Sequence, residues 1–150
     1  VVPHAGEFGA DTWGDESYAY SGDLASWCCL SSDAELGHVY IPTSAPTGIN
    51  YGGHRPGDNL FSDSILALDV KTGKRVWHYQ MVHHDLWDYD TVGPPTLGDI
   101  TVNGKRIKAL MQPSKTGFLY VFDRVTGTPV WPIEERPVPQ STVPGEHTAR

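Results

Sequence analysis

A 14-residue pattern occurs twice, and it limits the possible folds more than any other feature of the chain. SILALDVKTGKRVW (Ser64–Trp77) and FLYVFDRVTGTPVW (Phe118–Trp131) align without a gap. Asp69 matches Asp123, Thr72-Gly73 match Thr126-Gly127, and Val76-Trp77 match Val130-Trp131, each pair 54 residues apart. Each copy reads as a strand, a tight turn and a returning strand. Ile65–Leu68 and Leu119–Phe122 are strand-like, and the Asp with its Thr-Gly pair supplies the turn, Gly taking the positive φ. Trp77 and Trp131 fall at one equivalent place on the returning strand, where a large ring can dock on a neighbouring unit.

The rest of the chain agrees. Gly37–Pro42 (GHVYIP) is short and β-branched, and Ile100–Met111 (ITVNGKRIKALM) places Asn103-Gly104 between two strand-like runs, as a type I′ hairpin prefers. Gly and Pro make up 28 of 150 residues, so turns are frequent. No segment carries a 3.6-residue apolar stripe of useful length. The reading is all-β. Strand pairs recurring at roughly 40–55 residues point to a β-propeller, each blade a four-stranded sheet. Two copies do not close a ring of about 4–8 blades, so residues 1–150 are expected to be about two blades of a larger propeller. The stretch to Tyr20 and the polar, proline-rich tail from Pro132 read as inter-blade excursions, the tail packing against parts outside these residues. The missing initiator Met and the abrupt end at Arg150 fit a piece of a longer protein.

Charge narrows the function. Eighteen acidic residues against 11 basic leave a net charge of -7, the wrong sign for neutralising nucleic acid phosphates. No apolar run approaches the roughly 20 residues of a membrane span, and no signal or transit peptide is visible. The adjacent Cys28 and Cys29 are either a strained vicinal disulfide or two free thiols, and redox compartment stays open.

Between the repeats lies HHDLWDYD (His83–Asp90), with two imidazoles, three carboxylates and two aromatics in eight residues. Propeller loops cluster at the mouth of the central channel, where such groups can act on a ligand. Three readings are open: a metal site, although HHDxWDxD lacks a zinc-motif spacing; a structural corner capped by Asp side chains; or a catalytic carboxylate beside stacking aromatics.

The pattern AxDxxTGxxxW (Ala67, Asp69, Thr72, Gly73, Trp77), together with Arg55-Pro56-Gly57-Asp58-Asn59, WHYQMVHHDLWDYD (Trp77–Asp90) and SKTGFLYVFDR (Ser114–Arg124), resembles the quinoprotein dehydrogenases. The likeness runs from about Trp27 onward. HHDLWD, DITVNGKR and Lys115 resemble most the pyrroloquinoline-quinone (PQQ)-dependent glucose dehydrogenase group. The resemblance implies an eight-bladed propeller that oxidises a sugar or alcohol hydroxyl by hydride transfer to PQQ and passes electrons to a quinone or cytochrome acceptor. It also implies a divalent cation, Ca²⁺ or Mg²⁺, and a periplasmic location, with or without attachment to the inner membrane through a segment outside these residues.

Residue by residue, the resemblance implies three roles. Asp88 matches the general base, since a carboxylate can take the hydroxyl proton. Lys115 matches the cation at the cofactor's quinone oxygens, where growing negative charge needs a fixed positive partner. Trp27 matches the indole on which the flat cofactor stacks. Trp77 and Trp131 read as docking residues, His83 and His84 as loop-fixing hydrogen bonders, and Asp85 and Asp90 as supporting carboxylates. Calcium-using relatives often carry an asparagine ligand in a TGN triplet where this chain has Thr43-Ser44-Ala45, and Ala45 cannot serve. The vicinal cysteines of alcohol-oxidising relatives lie in an earlier blade, so that role is not carried over to Cys28-Cys29. Two further readings stand beside the enzyme. One is a non-catalytic propeller scaffold, which has no reason to keep Asp88, Lys115 and Trp27 together. The other is a metal hydrolase built on His83, His84 and Asp85, which would bind zinc.

Overall fold

A computed structural model describes residues 2–27, 30–91 and 93–149. Cys28 and Cys29 lie outside the described residues. Seven strands form two antiparallel sheets, with only short 3-10 turns as helical structure among the described residues. The first sheet runs β1 (Ser31–Asp33), β2 (His38–Pro42), β3 (Ser64–Asp69), β4 (Arg75–Gln80) in spatial order. The second runs β5 (Thr96–Val102), β6 (Lys105–Pro113), β7 (Leu119–Asp123). Strands that follow one another in the chain are neighbours in the sheet, which is the meander of a propeller blade.

The expected turns form for the expected reasons. In the first copy the Asp69 carboxylate accepts from Thr72 N (2.8 Å) and Thr72 Oγ1 (2.7 Å), and Gly73 turns at φ 69°. In the second, Asp123 accepts from Val125 N (2.9 Å), and Gly127 turns at φ 77°. Asn103 and Gly104, both at positive φ, close the β5–β6 hairpin as its sequence predicts.

The second copy departs from expectation after its turn. Instead of a full returning strand, residues 128–131 make a single bridge, Phe122 to Pro129. The reason is local: Pro129 and Pro132 have no N–H for a ladder, whereas Arg75–Gln80 contains no proline.

The two sheets share one core. Tyr40, Ile65, Ala67 and Trp77 from the first pack on Leu110, Tyr120 and Phe122 from the second. Leu66, on the opposite face of β3, packs with Trp13, Leu24, Leu60 and Phe61. Both faces of β3 are therefore covered, and SILAL reads as a continuous apolar run instead of an alternating one. The N-terminal stretch supplies part of that second cover, with Trp13 Nε1 donating to the Leu60 carbonyl.

The tail corrects its expectation. It packs on the described chain itself: Tyr51 Oη donates to Pro144 O (2.9 Å), Gly52 N donates to Glu146 Oε2 (2.8 Å), and Ile133 lies against the shared core.

Docking of the first Trp is seen directly. The Trp77 ring lies over Gly127, so close that a Cβ there would sit 2.7 Å from ring carbons. Trp77 Nε1 and Tyr40 Oη both donate to the Arg124 carbonyl at 3.0 Å. The Arg124 guanidinium reaches Asp33 (2.7 Å) on the first sheet and Asp99 (3.0 Å) on its own. Trp131, at the equivalent position, is 53% exposed.

Candidate active site

The end of β2, the exit of β4 and the exit of β6 lie at one end of the sheets, as strand alternation requires. Residues 43–45, the loop 81–90 and the turn 114–117 therefore meet, and Trp27 joins them from ahead of β1.

Asp85 shapes the loop. Its Oδ1 accepts from Trp87 N (2.8 Å) and its Oδ2 from Tyr89 N (2.6 Å), so one buried carboxylate folds the next four residues around itself. Burial pushes its pKa up, and the two backbone N–H groups oppose that. The fully buried Arg55 holds the loop from below, donating to the Asp85 carbonyl, to Asn59 Oδ1 (2.8 Å) and to Thr47 O (3.1 Å). The rings of Trp87 and Tyr89 stack at 5.7 Å. Asp88 between them adopts φ 60°, a left-handed conformation that Asp tolerates better than most residues.

Lys115 comes to this loop from the turn after β6. Its Nζ donates to Asp88 Oδ2 (2.8 Å) and Asp90 Oδ2 (2.5 Å), and the first and then the second of these bonds hold its pKa above the ordinary lysine value. The same ammonium stands 5.7 Å from the centroid of the Trp27 ring, which is 70% exposed. The three residues singled out in the sequence are thus together. Asp88 keeps its Oδ1 without a hydrogen-bond partner among the described residues, and its side chain is 46% exposed.

The histidines do other work. His84 Nδ1 bonds the Gly57 carbonyl at 2.7 Å, and burial depresses its pKa, so it stands as a neutral loop anchor. His83 Nε2 lies 3.3 Å from Glu135 on the tail. With Asp85 engaged by two backbone N–H groups, the imagined hydrolase triad has no common focus. Among the described residues no group of three His, Cys, Asp or Glu side chains could hold a metal ion. An apolar groove of about 700 Å³ borders the loop through Trp87 and Tyr89, but neither Asp88, Lys115 nor Trp27 lines it.

Three residues have no site role legible from the resemblance. Arg55 and Asn59 sit in the RPGDN run, and their spacing of four is the available signal. Asp63 is the third. It is fully buried, and neither carboxylate oxygen has a hydrogen-bond partner of good geometry among the described residues. Burial first, then the neighbouring charges of Asp85 and Asp90, push its pKa up to about 9, with Ser62 and Arg55 opposing weakly. Asp63 is therefore a neutral acid at pH 7. Its signal was a carboxylate placed directly before a strand that is apolar on both faces.

Two antiparallel blade-like sheets, joined by a docked Trp and carrying a carboxylate–ammonium–indole cluster at one end, define a portion of a β-propeller. The family described as "PQQ: Glucose/ethanol/alcohol dehydrogenase, beta-propeller domain" matches residues 3–150, and the chain belongs to that family. The quinoprotein glucose dehydrogenase of Escherichia coli (strain K12) is 46% identical over 123 residues, 81% of this chain and 16% of that relative. The solved structure of the quinohemoprotein alcohol dehydrogenase ADHIIG from Pseudomonas putida HK5 superposes with a TM-score of 0.76 at 37% identity, over 88% of this chain and 19% of its own. A europium-containing methanol dehydrogenase superposes at 0.75 with 39% identity, over 80% of this chain and 21% of its own. The chain thus spans about a sixth to a fifth of the length of the relatives it matches.

Proposed function

We propose that these residues form the cofactor-facing part of a PQQ-dependent dehydrogenase that oxidises a sugar or alcohol hydroxyl, with a substrate range like that of the glucose dehydrogenases. One observation carries this reading: an ammonium shared by two carboxylates stands beside the exposed face of an indole. PQQ, when bound, supplies a quinone that takes two electrons from the hydroxyl-bearing carbon. The donor set fits it. Trp27 offers a flat apolar face for the rings. Lys115 offers a cation on the ring side of that indole, 5.7 Å from its centroid, where negative charge on a quinone oxygen is stabilised. Asp88, half exposed and with its Oδ1 unpaired among the described residues, can accept the hydroxyl proton.

The divalent cation fits less completely. Both oxygens of Asp90 are occupied, by Ala45 N–H (2.7 Å) and by Lys115, which leaves Asp88 Oδ1 as the free carboxylate oxygen of the cluster. Ca²⁺ or Mg²⁺ would take its other ligands from outside these residues, and no step is assigned to it. The electron acceptor, a quinone or a cytochrome, and a periplasmic location belong to the same proposal.

The test is reconstitution of the full-length apoprotein with PQQ and Ca²⁺ or Mg²⁺, followed by a screen of sugars and alcohols with a dye acceptor. PQQ-dependent turnover of glucose or a related hydroxyl compound is expected. Absence of both PQQ binding and turnover with every cation would overturn the proposal.

A further inference from the structure

We propose that Asp90 is a positioning residue for the cofactor: it holds the Lys115 ammonium over the Trp27 ring and shares it with Asp88, so that Asp88 does not bind it alone. The inference rests on the reading of Lys115 as the cofactor's cation and goes beyond it by naming what places that cation.

A lysine head group rides on a flexible four-carbon stem with three donors of free orientation. A single partner does not fix it. Here the two partners are unequal. Asp88 is about half exposed and bonds at 2.8 Å, whereas the Asp90 side chain is 2% exposed and bonds at 2.5 Å. Water competes for Asp88 and hardly at all for Asp90, so the buried carboxylate is the more fixed anchor.

Asp90 is itself immobilised. Its Oδ1 accepts from the Ala45 N–H just past β2, and its main-chain carbonyl accepts from Lys115 N (3.3 Å). One residue therefore ties the end of β2, the loop 81–90 and the 114–117 turn together, holding the lysine by both backbone and side chain. Were Asp90 absent, Asp88 would be the remaining anion at the ammonium, and an ammonium drawn wholly to Asp88 would compete for the oxygen that must accept a proton.

The isosteric change makes this testable. In Asp90→Asn the amide oxygen must face Ala45 N–H to keep that bond, which turns the amide NH₂ toward the ammonium. Two donors then face each other, and Lys115 leaves. The fold-supporting bond survives while the positioning bond is replaced by repulsion.

The experiment is a double-mutant cycle in the full-length protein with wild type, Asp90→Asn, Lys115→Ala and the double variant. It reads PQQ affinity by titration of apoprotein, together with kcat and substrate KM. Loss of a hydrogen bond to a charged group predicts a roughly 10–100-fold weaker PQQ affinity in Asp90→Asn. A lower kcat with little change in KM is expected as well. In the Lys115→Ala background, adding Asp90→Asn should cost under about threefold, because Asp90 acts through the lysine. An undiminished further loss in that background overturns the inference and leaves Asp90 as a support for residues 43–45. Native PQQ affinity in Asp90→Asn overturns it too. Native PQQ affinity in Lys115→Ala instead indicts the reading of the lysine as the cofactor's cation. If Asp90→Asn does not fold, Asp90→Ser takes its place, since it removes the carboxylate charge from the ammonium.

Discussion

The two sheets meet at two kinds of place, and the contrast between them separates architecture from chemistry. At the seam, Trp77 is buried on Gly127, its N–H is satisfied by Arg124 O, and the Arg124 guanidinium is matched by Asp33 and Asp99. The indole N–H of Trp77, the hydroxyl of Tyr40 and the guanidinium of Arg124 each have a counterpart there. At the loop, Asp63, Asp85, Asp88 and Asp90 crowd around one lysine and one buried arginine. One carboxyl is neutral and without a good partner, and one carboxylate oxygen is left open. Under the proposed function, a site that binds and reacts keeps unmatched groups, and the rest of the fold has to hold them in place.

If that contrast is right, loop changes should cost activity without stability, and seam changes the reverse. Asp88→Asn should show the largest effect. It keeps the shape and removes the basic oxygen, so kcat in the full-length enzyme should fall about 10²–10⁴-fold with PQQ affinity roughly intact. Near-native turnover with cofactor bound would overturn the assignment of Asp88 as the base.

Trp77→Ala comes next and lies on the other side of the comparison. Removing a buried indole should lower unfolding stability by about 3–5 kcal/mol, followed by denaturant melts of the full-length protein. Retained stability would mean that the seam is not what joins the sheets.

Asp63→Asn sharpens the picture through pH. Asp63 ionises near its ordinary 3.8 when unfolded and near 9 in the fold, so the folded state holds the extra proton between those values. Its contribution to stability is full below the lower value and is lost as pH rises toward the upper one. Asn removes the liability, and a gain in stability at pH 8 that shrinks toward pH 4 is expected in denaturant melts at the two pH values. A gain independent of pH would assign the effect to packing.

The smallest effect compares the two copies of the repeat. Gly73 and Gly127 share a positive φ, but a Cβ at Gly73 meets nothing within 4 Å, while one at Gly127 meets the Trp77 ring at 2.7 Å. Alanine at both should carry the same backbone strain, with Gly127→Ala worse by about 1–2 kcal/mol from overpacking. Equal losses in the full-length protein would mean that another ring covers Gly73 there.

Much of this was legible in the chain itself. The turn chemistry of Asp69-Thr72-Gly73 and Asn103-Gly104 is local, acting over three or four residues, and it predicted both hairpins and the sheet class. The repeat predicted that a tryptophan docks, because equivalent residues in a stacked array meet equivalent neighbours. The cluster of Asp88, Lys115 and Trp27 was legible through family resemblance alone, since nothing local links residues 27, 88 and 115.

Tertiary structure decided the rest, because it concerns which distant groups share a dry space. Asp63, Asp85, Asp88 and Asp90 are one residue type, yet burial and neighbours make them a neutral acid, a loop cap, an open carboxylate and a lysine anchor. Those differences arise from desolvation and from partners 25 to 45 residues away, such as Lys115 and Ala45. Sequence alone determined where strands turn; only packing determined which carboxyl is buried without a good partner, which is engaged and which is left open.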